Sequence, residues 1–71
     1  MVAMTHEEAI KWLRARGGEV TTKPLLDGGN AIVAAAHGLS SSVLARDLAD
    51  NADVRRCELQ AIEQLKQLLE A

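Results

Sequence analysis

The side chains with catalytic chemistry are few and scattered. His37, Ser40, Ser41, Ser42 and Asp47 are the residue types of a hydrolytic triad. In such a triad a hydroxyl attacks a carbonyl, an imidazole takes its proton and a carboxylate orients the ring. The triad also needs an oxyanion hole and a shaped cleft on a rigid frame. Three consecutive serines are more simply read as the start of a helix. His6, His37 and Cys57 are metal-ligating types, yet no C-x2-C or H-x3-H spacing brings any two of them together. Gly28-Gly29 lacks the lysine and the following helix of a phosphate loop. Cys57 reads as a small packing residue of a helix. The residues therefore point away from an enzyme, and no cofactor, metal or small-molecule substrate is expected.

The elements that must position these residues are legible in part. Thr5 to Arg16 predicts a helix: Thr5 is its N-cap, with Glu8 at the capping-box spacing and acids in the first turn. Basic residues follow toward its end, and Gly17-Gly18 stops it. Ala9, Ile10 and Leu13 form its apolar stripe, with Trp12 on the margin as either a lid on a small core or an interface anchor. Asp27-Gly28-Gly29-Asn30 predicts a hairpin turn, because these residues tolerate positive φ. Val20, Thr21 and Thr22 favour strand before it, and Pro24, lacking an N–H, places that strand at an edge. Residues 31–36 suit a strand or a short helix, and strand is preferred because the first strand needs a partner.

Beyond Gly38 the pattern predicts two helices. Ser40 to Ser42 read as an N-cap, Val43 to Ala49 as a first helix and Cys57 to Glu70 as a second, with Leu59, Ile62, Leu65, Leu68 and Leu69 at helical spacing. The phase of the apolar residues argues for a break between them. At roughly 100° per residue from Leu44, Ile62 returns to about 0° and Arg55 falls near 20°, inside the apolar stripe. A continuous helix would bury an unpaired guanidinium, which is costly. A turn near 51–53 lets Arg55 and Arg56 face water. The expected fold is α+β, in the order α-β-β-α-α, as a single small domain over residues 1–71.

With that break, residues 40–63 resemble the helix-turn-helix of Cro/repressor-type bacterial regulators. The resemblance lies in Leu48-Ala49, Ala52, Val54, Leu59 and Ile62-Glu63. It departs from the pattern in carrying Asp53 where a turn glycine is usual, and in the four residues RDLA between the matching pieces. The resemblance implies a DNA-binding regulator in which Arg55, Arg56 and Gln60 lie on the recognition face, against phosphates or base edges.

Composition favours a different reading. Of 71 residues 48% are hydrophobic, but alanine accounts for 12 of them, and Trp12 is the sole aromatic side chain. A chain this short is near the limit of what one core can stabilise, so association is expected. The net charge of −2 suits an ordinary surface and counts against a dedicated nucleic-acid binder. A single cysteine fits a reducing compartment. Neither a membrane-length apolar run nor a signal-peptide pattern is visible, so a cytoplasmic protein is expected. The first expectation is thus a small non-enzymatic interaction module, of the accessory, inhibitor or adaptor kind found in bacteria and phages. It would bind a protein partner or a second copy through Trp12, Val20, Thr22, Leu59, Ile62 and Leu69, including strand addition at the edge from Val20 to Leu26. DNA binding is the alternative, and no membrane is involved.

Overall fold

In the computed structural model, which describes residues 4–70, a helix is followed by three strands and a long helix. The elements are α1 (His6–Ala15), β1 (Glu19–Pro24), β2 (Asn30–Ala36), β3 (Leu39–Ala45) and α2 (Asn51–Glu70). The class is α+β. The strands form an antiparallel meander in the order β1-β2-β3.

Local chemistry sets each boundary. The Thr5 hydroxyl accepts from the Glu8 N–H, and the Glu8 carboxylate accepts from the Thr5 N–H, so the capping box is complete. α1 ends in a Schellman motif: Gly17 N–H donates to Arg14 C=O and Gly18 N–H to Leu13 C=O, each at 3.0 Å, with Gly17 at φ +71°. The β1–β2 turn closes at Leu25, whose N–H donates to Gly29 C=O at 2.8 Å, and Gly28 takes φ +91°. That is the three-residue hairpin loop with glycine in the left-handed position. Between β2 and β3 only His37 and Gly38 remain, at φ +53° and +77°. Two positive-φ residues in a two-residue loop make a type I′ turn, whose twist matches the strands it joins.

This tight turn corrects the expected architecture. Residues 39–45 continue the sheet as a third strand, so Ser40 to Ser42 do not cap a helix and Val43 to Ala49 do not form one. Leu39, Ser41, Val43 and Ala45 alternate with Ser40, Ser42 and Leu44, a period of two that three serines in a row disguise. There is no break between two helices, and the turn expected near 51–53 is instead the first turn of a helix. Residues 46–50 form the connection, and one helix runs uninterrupted from Asn51. Asp50 begins it, its carboxylate accepting from Ala52 N–H at 3.0 Å. With nothing helical before Asn51, the phase resets and Arg55 and Arg56 are exposed.

Both helices lie on one face of the sheet. The core joins Ala9 and Leu13 of α1, Ala34 and Ala36 of β2, and Ala61, Ile62 and Leu65 of α2. Val20 of β1 and Val43 of β3 pack against it. Alanine at the sheet centre lets α2 approach closely, while α1 packs chiefly against α2. His6 Nε2 and Glu58 Oε1, 2.9 Å apart, tie the start of α1 to α2.

Candidate interaction surface

Strand register defines what the opposite face of the sheet presents. Side chains alternate, so the face away from the helices carries Glu19, Thr21 and Lys23 from β1, Ala31, Val33 and Ala35 from β2, and Ser40, Ser42 and Leu44 from β3. The register groups them in three rows across the sheet: Glu19–Ala35–Ser40, Thr21–Val33–Ser42 and Lys23–Ala31–Leu44. Small side chains occupy the centre, with an acid and a base at opposite ends of β1. Leu44 is 69% exposed on this face. Among the described residues no helix or further strand packs on it, although Ala31 is buried and Val33 and Ala35 are half-buried between their neighbours.

Comparison with protein-family models, curated proteins and solved structures finds no match to this chain.

The residues expected at an interface divide into different environments. Ile62 is fully buried and belongs to the core, which takes it out of any contact surface. Val20, Leu59 and Leu69 are half-buried and pack against that core. Trp12 is half-buried as well. Arg16 stacks over its ring, 4.1 Å from the centroid, and donates to the Trp12 carbonyl at 3.2 Å. Thr22 alone of the six is exposed, at the β1 edge. Missing from the expected set were Thr21, Val33, Ser42 and Leu44. The signal that would have found them is the alternation in LSSSVLA, which requires a partner strand and therefore a second face.

Arg55, Arg56 and Gln60 are exposed on the first half of α2. The helix-turn-helix that would present them is not formed: residues 40–63 run strand, turn and helix. Arg56 is committed to Asp53, with Nη2 and Oδ1 2.5 Å apart. This pairing holds the Asp53 carboxyl below the usual carboxylate range, chiefly through the Arg56 hydrogen bond and further through the Arg46 N–H, and it raises the Arg56 guanidinium. Arg55 lines an open hollow with Thr5, His6 and Glu7.

The triad residue types are held apart. His37 lies in the turn before β3 and Asp47 in the connection after it, at opposite ends of a strand about 20 Å long at ~3.4 Å per residue. The Asp47 carboxylate accepts instead from Ala49 N–H at 2.9 Å. Cys57 is buried, with its thiol 3.6 Å from the Leu44 carbonyl. Among the described residues no group of three His, Cys, Asp or Glu side chains converges as a metal site, and no helix is long and apolar enough to cross a membrane. A cleft of about 230 Å³ opens between α1, β1 and α2, with Ile10, Leu13 and Val20 as apolar lining and Arg14, Glu19 and Glu58 as charged groups. No serine, cysteine or histidine lines it, so it holds no nucleophile beside its carboxylates.

Proposed function

We propose that this chain is a non-enzymatic protein-interaction module that engages its partner through the side of the sheet the helices leave bare. The observation that carries the reading is the division of the sheet: both helices pack on one face, and the other presents Val33 and Leu44 among small residues. A sheet with one apolar-containing face open is normally solvated by polar side chains or covered by another surface. Here the centre of the face is Ala31, Val33 and Ala35, which supplies little polarity. The small core and the scattered catalytic residue types favour the same reading.

Site-specific photo-crosslinking in the cells that make the protein tests it. A benzophenone side chain is placed at Thr21 or Ser42 on the open face, and at Gln67, exposed on α2, as the control. Protein adducts identified by mass spectrometry from the first two positions and not from the third are the expected result. Adducts from all three alike, nucleic-acid adducts in their place, or none would overturn the proposal.

A further inference from the structure

We infer that the outer edge of β3 is built to pair with β3 of a second copy, antiparallel about Ser42, giving one continuous six-stranded sheet. This inference rests on the reading of the uncovered sheet side as the interaction surface, and it names the partner.

The backbone pattern identifies the free groups. A two-residue loop closes on a hydrogen-bonded pair, here Ala36 and Leu39. Bonded pairs recur at every second position of an antiparallel ladder, so Leu39, Ser41, Val43 and Ala45 direct their backbone groups toward β2. Ser40, Ser42 and Leu44 direct theirs outward, those of Ser40 and Ser42 toward open space and the Leu44 carbonyl with the Cys57 thiol of α2 3.6 Å away. On the other edge the closing bond from Leu25 to Gly29 sets the same alternation, and Val20, Thr22 and Pro24 direct their backbone groups outward from β1.

The two edges differ in how they resist pairing. Sheet edges are usually blunted with proline, charge or a bulge. β1 carries Pro24 at an outward position, where its missing N–H breaks the row of donors, and Lys23 beside it. β3 is Leu-Ser-Ser-Ser-Val-Leu-Ala, with neither proline nor charge and an unbroken register to β2. The α2 stripe along this side follows the same logic. Gln64 accepts from the Ser41 hydroxyl at 2.7 Å, and Gln60 lies one turn before it on the same stripe; the charges on this side gather past the C-terminal end of β3, where Asp53, paired with Arg56, accepts from the Arg46 N–H at 3.2 Å.

A second copy fits this edge in a way that an arbitrary strand does not. With Ser42 opposite Ser42 of the partner, Ser40 faces Leu44 and Leu44 faces Ser40, so all three outward residues meet outward residues. The exposed Leu44 gains a neighbour on the outer face. Leu39, 42% exposed, gains Ala45 on the inner one. Each outer row then runs from Lys23 of one copy to Glu19 of the other, and the two ends of the extended face are balanced in charge. Only serine meets serine at the axis, so no bulky side chain of the outer face meets its copy there.

Sedimentation equilibrium over a micromolar-to-millimolar series tests the pairing, with circular dichroism to check folding. Wild type is expected to form dimers. Ser42→Lys and Ser42→Glu are each expected to weaken dimerisation about fivefold, because like charges face each other across the axis. An equimolar mixture of the two is expected to restore it as a heterodimer. Ser42→Pro, which removes an outward N–H while sparing the β2 ladder, should give a folded monomer, whereas Thr22→Pro on the β1 edge should leave the dimer intact. A wild-type monomer at millimolar concentration, or a charge-swapped mixture that associates no better than either variant alone, would overturn the inference. Heterologous protein adducts from the crosslinking experiment would overturn it too, while leaving the interaction reading in place.

Discussion

Gly18 offers the sharpest test of how the sheet is seated against the helices. It joins α1 to β1, and a Cβ built on its backbone would lie 2.5 Å from the Ala35 carbonyl oxygen, 2.6 Å from Leu13 Cδ1 and 2.9 Å from Ala36 Cβ. Two of these three atoms belong to β2 and cannot swing aside as a side-chain end does. Gly18→Ala must therefore push β1 away from β2 or tilt α1. Overpacking of this kind costs about 1–3 kcal/mol, offset by about 0.4–1 kcal/mol from the reduced freedom of the unfolded chain. The net loss is about 1–2 kcal/mol. With an m-value near 1 kcal/mol per molar urea for a small chain, the unfolding midpoint should fall by about 1–2 M. The assay is urea titration followed by circular dichroism at one fixed protein concentration, since association would raise the apparent stability. Gly17→Ala is the contrasting control: no atom lies within 4 Å of its Cβ, and its cost comes from φ +71° alone. Adding Leu13→Ala to Gly18→Ala relieves the Cδ1 contact but not the carbonyl, so the double variant should recover none of the lost stability. A Gly18→Ala midpoint equal to wild type would refute the close approach of the α1–β1 connection to β2.

Ile62→Ala, at a fully buried core position, should cost about 2–5 kcal/mol in the same titration, whereas the fully exposed Leu26→Ala should change stability by less than ~0.5 kcal/mol. Thr5→Ala removes the hydroxyl half of the capping box and should lower stability by about 1 kcal/mol, measured by thermal melting. Asp53 has a folded-state pKa below its ordinary value, so its contribution is complete above the usual carboxylate range and is lost as pH falls through the depressed value. Acid titration of stability should therefore show a loss on acidification that Asp53→Asn reduces, and an unchanged acid limb in the variant would remove Asp53 from the account.

The N-terminal half of the fold was legible because its signals are local and redundant. The capping box, the Gly17-Gly18 stop and the Asp27–Asn30 turn each rest on residues within a few positions of one another, and each forms as expected. β2 followed from the need of β1 for a partner. β3 was hidden for two physical reasons. The His37-Gly38 turn uses histidine at positive φ, where asparagine or aspartate would have announced it. In addition, three serines reduce the contrast between the two faces of the strand, so the period of two is faint. Leu44 and Leu48 then fell into helical phase with the long helix, although Leu44 is on a strand and Leu48 in the connection. The phase mismatch at Arg55 reflects a strand and a connection giving way to one helix at Asn51, not a turn between two helices. Losing β3 also lost the second sheet face, and the expected interface residues were drawn from the side that the helices already occupy.

The thinness of the sheet bears on how its bare side works. β2 carries alanine at four of its seven positions, divided between the two faces: Ala34 and Ala36 toward the helices, Ala31 and Ala35 away from them. Small residues on the inner face let α2 sit close, which suits a chain with few large apolar side chains. Small residues on the outer face have the opposite consequence, because they leave little apolar area to drive face-to-face stacking. At ~25 cal/mol per Å², one valine and one leucine among alanines and serines contribute far less than a layer of large side chains. Backbone hydrogen bonding along an edge does not depend on side-chain size. On this side backbone pairing across β3 therefore supplies what the thin face alone cannot, extending that face over both copies, and the absence of proline and charge from β3, against Pro24 and Lys23 on β1, selects the edge at which that growth proceeds.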